Sequence, residues 1–212
     1  ELAAARGWGL FHGLNTPFWL ALPASLLILD LAIYTQHVVF HKVAVLWRLH
    51  RMHHTDLDFD VTTALRFHPL EIVLSMLIKL VLVTLLGVPA VAVMLFEVIL
   101  NATAMFNHGN VGLPRRLDRA LRWILVTPDM HRVHHSIRPE ETDSNFGFNL
   151  PWWDRLFGTY RDQPRDGHAG MTIGLEYFRD RRATRLYGLL LQPFLNPASG
   201  STPARTPSNP LP

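Results

Sequence analysis

The stretch LEIVLSMLIKLVLVTLLGVPAVAVMLFEVILNATAMF, residues 70–106, contains two apolar runs separated by a short GVP turn. A helix that crosses a bilayer needs about 20 apolar residues, with about 17 as the lower limit, and each run is close to that limit. A third apolar run, residues 17–34, precedes them and carries one charge, Asp30. The sequence therefore predicts an all-α integral membrane fold with a helical hairpin and at least one further span.

Polar side chains inside the hairpin indicate which faces turn inward. Lys79 lies in the first run, and Glu97 and Asn101 lie four residues apart in the second. Polar groups are costly against lipid, so we expect Glu97 and Asn101 to face the protein interior. They could line a substrate channel or bond another helix, and Lys79 could snorkel or join an interior pair.

Composition excludes several chemistries. The sequence of 212 residues contains no cysteine, so disulfides, thiolate metal sites, iron–sulfur clusters and a thiol nucleophile are excluded. The formal net charge of +3 comes almost wholly from arginines that flank apolar segments. A nucleic-acid-binding protein would instead show a basic stripe with interleaved aromatic residues. We therefore expect a membrane setting and no nucleic-acid partner.

Two basic regions indicate the orientation of the spans. One lies between the first two runs and the other follows the third run; together they hold Lys42, Arg48, Arg51, Arg66, Arg115, Arg116, Arg119, Arg122, Arg132 and Arg138. A hairpin returns the chain to the side that it left, so both regions share one side. By the positive-inside rule this side is the cytoplasmic one, and the membrane is expected to be a bacterial inner membrane.

The same histidine spacing occurs twice on that side. LWRLHRMHHTD, residues 46–56, places His50, His53 and His54 at i, i+3 and i+4, and DMHRVHHS, residues 129–136, repeats the spacing at His131, His134 and His135. Residues at this spacing share one face of a helix, so each triplet would project three imidazoles into one small volume. Neutral imidazole is the commonest metal ligand in proteins. The triplets therefore predict a metal centre.

Four more histidines lie near the same membrane face: His37, His41, His68 and His108. They bring the candidate ligands to ten, and only His12 and His168 are left over as ordinary surface residues. A mononuclear site uses three or four ligands, so ten histidines imply two metals or many spectators. Ligating imidazoles normally donate their other N–H to a carboxylate or carbonyl. By proximity in sequence, the candidate partners are Asp30, Asp56, Glu71 and Asp129.

The motifs HVVFH, HRMHH, ALRFHPLE, FNHGNV and TPDMHRVHHS, together with SNFGFNLPWWDRLFGTY, resemble the bacterial members of the fatty acid hydroxylase/sterol desaturase superfamily. The resemblance covers roughly residues 30–162. It implies a membrane-bound, non-haem di-iron oxygenase whose histidine boxes lie on the cytosolic face, with two Fe ions as cofactor, O2 as co-substrate and a lipid as substrate. Because no haem, flavin or iron–sulfur motif is visible, electrons would come from a separate ferredoxin- or cytochrome-like protein.

The resemblance assigns the ligands box by box. The first pair is His37 and His41, the triplets form the second and third boxes, and His108 is the histidine that follows the hairpin. Some relatives have a second histidine four residues later, where this sequence has Gly112, and His68 is the nearest candidate to fill that position.

Two alternatives use the same histidines. A zinc hydrolase would need a general base beside a metal-bound water, and the HExxH motif is absent. The other alternative is a non-enzymatic haem carrier or metal-handling protein. Haem would need only axial pairs, which leaves most of the ten histidines unexplained.

The expected layout runs from an N-terminal region with a span, residues 1–35, to a catalytic domain, residues 36–162. A cytoplasmic segment, residues 163–192, and a disordered Pro/Ser-rich tail, residues 193–212, follow. Residues 115–126 are expected to form an interfacial helix. The chain opens without Met or a signal-peptide pattern, which leaves further spans upstream open.

Overall fold

A computed structural model describes residues 5–181 and 183–196. Over these ranges the chain is built from helices and loops, with an isolated β-bridge between Ser136 and Ile173. The helices are α1 (Leu10–Gly13), α2 (Phe18–Lys42), α3 (Ala44–His54), α4 (Pro69–Leu86), α5 (Ala90–Asn107), α6 (Arg115–Leu121), α7 (Pro128–His134), α8 (Pro139–Thr142), α9 (Trp152–Phe157), α10 (Gly167–Gly170) and α11 (Leu186–Leu191), with 3-10 turns at Thr63–Leu65 and Gln192–Phe194.

Helices α2, α4 and α5 are the three helices, among the described residues, that are long and apolar enough to cross a membrane. This confirms the predicted hairpin and the span before it. Helix α2 continues past the predicted end at residue 34 to Lys42, so His37 and His41 lie on the same continuous helix as the span. The apolar spans thus lead directly into the histidine-rich end of the molecule.

Gly87 ends α4 and reverses the chain into α5. Its φ of +69° lies in the left-handed region, which favours glycine over residues with a Cβ atom. A Cβ atom at this position would also lie only 2.7 Å from the carbonyl oxygen of Trp8. The N-terminal segment therefore packs against the hairpin turn, at the end of the spans far from the histidines.

The core of the spans is small and apolar. Leu29 of α2 is buried against Val88, Ala92 and Phe96 at and after the turn. The outward faces of the spans expose many large apolar side chains, such as Leu77, Leu80, Val81 and Leu85 on α4. Such a surface is unstable in water and is typical of helices that face lipid.

Lys79 of α4 and Glu97 of α5 form an ion pair between the two arms of the hairpin. Lys79 thus joins an interior pair rather than snorkelling to the membrane surface. Mutual neutralisation is the usual way in which charged groups are accommodated at membrane depth.

Helices α3 and α6–α9 cap the end of the bundle where α2 ends and α4 begins. Of residues 115–126, predicted to be helical, Arg115–Leu121 form a helix. The chain then turns so that the N–H of Val126 donates to the carbonyl of Asn149 at 3.0 Å. This bond joins the segment before α7 to the loop before α9, so that the cap closes over the histidines.

The last described residues pack against α3. Arg51 donates hydrogen bonds to the carbonyl oxygens of Gln192 and Leu195, and Thr55 Oγ1 lies 2.9 Å from Gln192 Oε1. Residues 193–196, which the sequence assigned to the disordered tail, therefore form part of the cap. Residues 197–212, the rest of the predicted tail, lie outside the described residues.

Candidate metal centre

Nine histidines from four segments of chain converge in the cap, counted over the described residues. They form two groups, within each of which one ligand atom per residue lies within 4.8 Å of all the others. The five-histidine group consists of His37, His41, His50, His54 and His134, and the four-histidine group consists of His53, His108, His131 and His135.

Each histidine triplet is divided between the two groups. On α3, His50 and His54 share one face and join the five-histidine group, whereas His53 points into the other group. On α7 the division is reversed, because His131 and the residue that caps the helix, His135, join the four-histidine group and His134 joins the five-histidine group. The i, i+3, i+4 spacing thus supplies ligands to two neighbouring sites rather than to one.

Backbone carbonyls orient three of the rings. The Nδ1 atom of His37 lies 2.8 Å from the carbonyl of Phe146, that of His134 lies 2.7 Å from the carbonyl of Ser144, and that of His108 lies 2.7 Å from the carbonyl of Ala104. A carbonyl oxygen only accepts, so each Nδ1 carries the proton and donates it. The Nε2 atom of each neutral ring is left with its lone pair free for a metal.

Carboxylates lie beside the Nδ1 atoms of two more rings of the five-histidine group. His50 Nδ1 lies 2.7 Å from Glu71 Oε1, and His41 Nδ1 lies 3.4 Å from Asp143 Oδ1. Glu71 was predicted for this role. Asp143 was missed, because it lies about a hundred residues from His41 in an acidic stretch, PEETDS, with no local pattern that indicates a ligand partner.

Ring nitrogens face one another at the centre of each group. The Nε2 atoms of His37 and His50 lie 3.1 Å apart, as do those of His108 and His131. Further buried ring nitrogens have no hydrogen-bond partner, among them Nε2 of His41, His54, His134 and His135. Buried polar atoms are rarely left unsatisfied, so two clusters of inward-facing lone pairs fit two bound cations.

Burial favours the neutral form of several imidazoles of the cap. It lowers the pKa of His134 to about 3 and that of His108 to about 4, although a hydrogen bond to a carbonyl opposes the shift in both. Burial, followed by the repulsion of neighbouring histidines, also lowers the pKa values of His53, His131 and His135 well below the ordinary value. Neutral imidazole is the form that binds metal.

Phenylalanines close the space around the rings. Phe67 stacks on His53 with ring centroids 4.4 Å apart, and Phe59 stacks on His108 at 5.6 Å. Phe146 lies edge-on to His134 at 5.5 Å. This apolar shell excludes bulk water, which strengthens electrostatic interactions within the centre.

The structure does not bring His68 into either group. Its Nδ1 atom accepts a hydrogen bond from the N–H of Leu70 at 3.2 Å, and its Nε2 atom lies 3.2 Å from the carbonyl of Leu190. Both ring nitrogens are therefore occupied, and His68 caps the start of α4 instead of filling the position left by Gly112. His12 and His168 also lie outside both groups.

Asp30 forms hydrogen bonds with residues other than the nine histidines. Its carboxylate accepts from Asn149 Nδ2 at 2.8 Å and from Trp153 Nε1 at 2.7 Å. It therefore anchors the NLPWW segment to α2, instead of orienting a ring as the sequence suggested.

Asp56 and Asp129 also bond other groups. Asp56 accepts from Thr63 Oγ1 at 2.8 Å and pairs with Arg66 at 2.9 Å, whereas Asp129 pairs with Arg132 at 2.6 Å. Of the four acidic candidates, Glu71 is the one that the structure bonds to a histidine of the centre.

A cavity of about 330 Å³ leads from the spans to the five-histidine group. It lies between α2, α4 and α5, and both His37 and His50 line it. Most of its wall is apolar and includes Ile33, Phe40, Phe67, Ile72, Met76 and Leu100. The polar side chains are those of Glu71, the pair of Lys79 and Glu97, and Gln36, Ser75 and Asn101. Small-molecule sites typically have this combination of apolar walls and few polar groups.

The family model for fatty acid hydroxylase matches residues 22–159, about two thirds of the chain. The chain belongs to the fatty acid hydroxylase family. All nine grouped histidines lie within the matched range. With its three apolar helices, this family member is an integral membrane protein.

Three relatives show the breadth of the family. The chain is 30% identical to the ornithine lipid hydroxylase OlsE of Rhizobium tropici over 70% of this chain and 44% of that protein. It is 28% identical to the alkylglycerol monooxygenase of Homo sapiens over 73% of this chain and 34% of that protein. It is 27% identical to the Delta(7)-sterol 5(6)-desaturase erg3B of Aspergillus fumigatus over 78% of this chain and 48% of that protein.

This fatty acid hydroxylase family member therefore spans less than half the length of each of these relatives. No solved structure matches the chain.

Proposed function

We propose that the protein is a membrane-bound, non-haem di-iron oxygenase that uses O2 to hydroxylate or desaturate a lipid. The observation that carries the proposal is the pair of adjoining histidine groups at the inner end of a cavity between apolar helices. The named activities of the relatives are hydroxylation, monooxygenation and desaturation of lipids, which agree with this chemistry.

The contact between the two groups favours two metals rather than one. His54 of the five-histidine group stacks on His135 of the four-histidine group, with ring centroids 4.5 Å apart. His134 and His131 lie 5.2 Å apart in the same way. One zinc ion takes four ligands, and one haem takes two axial histidines, so either would leave most of these rings without a role. Two irons account for both groups.

When bound, two irons would activate O2 by passing two electrons to it, which makes oxidation of an unactivated C–H bond possible. The chain itself supplies neutral imidazole nitrogens as ligands. Their rings lie against carbonyls such as that of Phe146 and against the carboxylates of Glu71 and Asp143. Because the donors are neutral, they leave the positive charge of the metals largely uncompensated.

The cavity determines which part of a substrate reaches the centre. His37 and His50 belong both to the five-histidine group and to the cavity wall, so the C–H bond to be oxidised is presented beside these two rings. Ile72, Met76 and Leu100 line the route toward the membrane interior and suit a hydrocarbon chain. The product is an alcohol after hydroxylation or an alkene after desaturation.

Orientation and electron supply complete the proposal. We place the histidine cap on the cytoplasmic face of a bacterial inner membrane, because the loops that carry it are rich in arginine. A separate ferredoxin- or cytochrome-like protein delivers the electrons, since the sequence contains no cysteine for an iron–sulfur cluster and no haem or flavin motif.

The proposal is tested by metal analysis, absorption spectroscopy and isotope labelling of the protein purified in nanodiscs. We expect two irons per chain, no Soret band, and oxygen-18 incorporated into a hydroxylated lipid, or O2-dependent desaturation, when a labelled lipid extract is incubated with reductant under oxygen-18 gas. One zinc per chain, or a Soret band, would overturn the assignment.

A further inference from the structure

We infer that Glu71 binds the substrate directly, through a hydrogen bond that its Oε2 atom accepts from a hydroxyl or amide N–H of the lipid. The substrate class is then a lipid that carries such a donor near the carbon to be oxidised. This inference rests on the proposed function, whose cavity and metal centre it uses.

The two carboxylate oxygens of Glu71 have different surroundings. Oε1 lies 2.7 Å from His50 Nδ1 and so holds the ring of a proposed metal ligand. Oε2 is buried and has no hydrogen-bond partner, and the whole residue is only 4% exposed. A buried carboxylate oxygen without a donor is energetically unfavourable, so the arrangement calls for a donor from outside the described chain.

The cavity is the route by which such a donor arrives. Glu71 lines it beside His37 and His50. Among the cavity-lining side chains of the described residues, Glu71 is the one with a buried oxygen or nitrogen that lacks a partner. Other polar groups of the wall are matched within the protein: Gln36 donates to Ser75 at 2.7 Å, and Lys79 pairs with Glu97.

The position of Glu71 along the span fits the head end of a lipid. Glu71 lies in the first turn of α4, at the end of the spans nearest the histidines. Lys79 lies eight residues further along, about 12 Å deeper at 1.5 Å per residue. A lipid whose polar group meets Glu71 would extend its hydrocarbon chain past Ile72 and Met76 toward the membrane interior. The carbon beside the polar group would then lie closest to His37 and His50.

Binding of two matched probes tests the inference without turnover. The probes are hexadecane-1,2-diol, which carries two donors, and 1,2-dimethoxyhexadecane, which has the same chain and no donor. Each competes with radiolabelled diol for the metal-loaded protein in nanodiscs, with no reductant present. We expect the wild-type protein to bind the diol at least about tenfold more tightly, the effect of one hydrogen bond to a charged acceptor.

Two variants assign the preference to Glu71. In Glu71→Gln the amide oxygen can still accept from His50, and the other position becomes a donor, so we expect the two probes to bind within about twofold of each other. Glu71→Asp keeps an acceptor and should retain a preference for the diol. Glu140→Gln is the matched control, because it makes the same change at an exposed carboxylate outside the cavity, and it should retain the full preference. Metal content is measured in every variant.

Equal binding of the two probes to the wild-type protein overturns the inference, because a water molecule or nothing then satisfies Oε2. A full preference for the diol in metal-loaded Glu71→Gln also overturns it, because the metals or other groups then hold the hydroxyls. Equal binding of the probes to the wild-type protein is decisive even if Glu71→Gln fails to fold. Failure of the di-iron assignment appears separately, in the metal analysis and the oxygen-18 experiment.

Discussion

The Nε2 atoms of His37 and His50 lie 3.1 Å apart, and the other ring nitrogen of each histidine, Nδ1, lies beside a hydrogen-bond acceptor. His37 donates its Nδ1 proton to the carbonyl of Phe146, and His50 donates its own to the carboxylate of Glu71. Each neutral ring has only one N–H, so two lone pairs face each other in a buried site. A cation removes this conflict, and the first two predictions follow from that relationship.

Substituting a single histidine in either group should remove the metal of that group and leave the other metal bound. His53 belongs to the four-histidine group and His134 to the five-histidine group. We expect His53→Ala and His134→Ala each to lower the metal content from two toward one per chain. Turnover should fall more than about 100-fold, which exceeds the effect of changing a residue that only hydrogen-bonds to a ligand. Metal analysis and lipid turnover in nanodiscs measure both effects.

His12→Ala is the matched control, because His12 lies outside both groups, against the hairpin turn. It should retain both metals. Full metal content in both the His53 and His134 variants would show that the rings do not ligate.

Asp143 should tune metal affinity through His41. Its carboxylate lies 3.4 Å from His41 Nδ1 and also pairs with Lys42 at 2.7 Å. Asp143→Asn removes the negative charge and should weaken metal binding by about tenfold, as seen for partners of metal-ligating histidines. The measurement is metal retention against increasing concentrations of a chelator.

Asp166→Asn serves as the control, because Asp166 is also a partly exposed carboxylate but pairs with Arg138 on the surface of the cap. A chelator curve for Asp143→Asn that coincides with that of Asp166→Asn would rule out the proposed role.

Asp154 holds the turn whose carbonyl orients His37. It is fully buried, and its two oxygens accept the N–H groups of Phe146 and Gly147, each at 2.8 Å. Asp154→Asn replaces one acceptor with a donor, so we expect the free energy of unfolding to fall by about 1–3 kcal/mol. Denaturant titration in detergent measures the change.

Glu176→Gln provides the reference for that measurement, because Glu176 is an exposed residue of the cap. Its unfolding free energy should change by no more than about 0.5 kcal/mol. An Asp154→Asn variant as stable as this reference would mean that the turn does not depend on the carboxylate.

Lys79 and Glu97 should stabilise the protein by neutralising each other, so removing one charge should cost more than removing both. Lys79→Met leaves Glu97 unpaired inside a span, which we expect to destabilise the protein by about 2–3 kcal/mol, the cost of a lone charge near the middle of a spanning helix. The double variant Lys79→Met/Glu97→Gln should recover most of this loss. Thermal unfolding in nanodiscs compares the three proteins, and equal stability of the wild-type protein and the Lys79 variant would contradict the expectation.

The spans and the histidine boxes could be predicted because both are local patterns. An apolar run near the length of a bilayer has few other interpretations, and two copies of the spacing at His50, His53 and His54 are improbable by chance. The basic loops also placed both triplets on one side of the spans, which is a necessary condition for them to meet.

The features that could not be predicted depend on how separate segments face each other. The division of each triplet between two groups follows from the packing of α3 against α7, which no local spacing specifies. Asp143 reaches His41 from about a hundred residues away. His68 is a histidine like the proposed ligands, so the sequence alone does not separate it from them. Its backbone position just before Pro69 makes it the N-terminal cap of α4.

The bonds from Arg51 and Thr55 to Gln192 and Leu195 tie the second histidine box to residues near position 195. The ribosome makes that box about 140 residues earlier, so α3 is synthesised long before the segment that braces it. The second histidine box can therefore reach its braced conformation only after synthesis has passed residue 195.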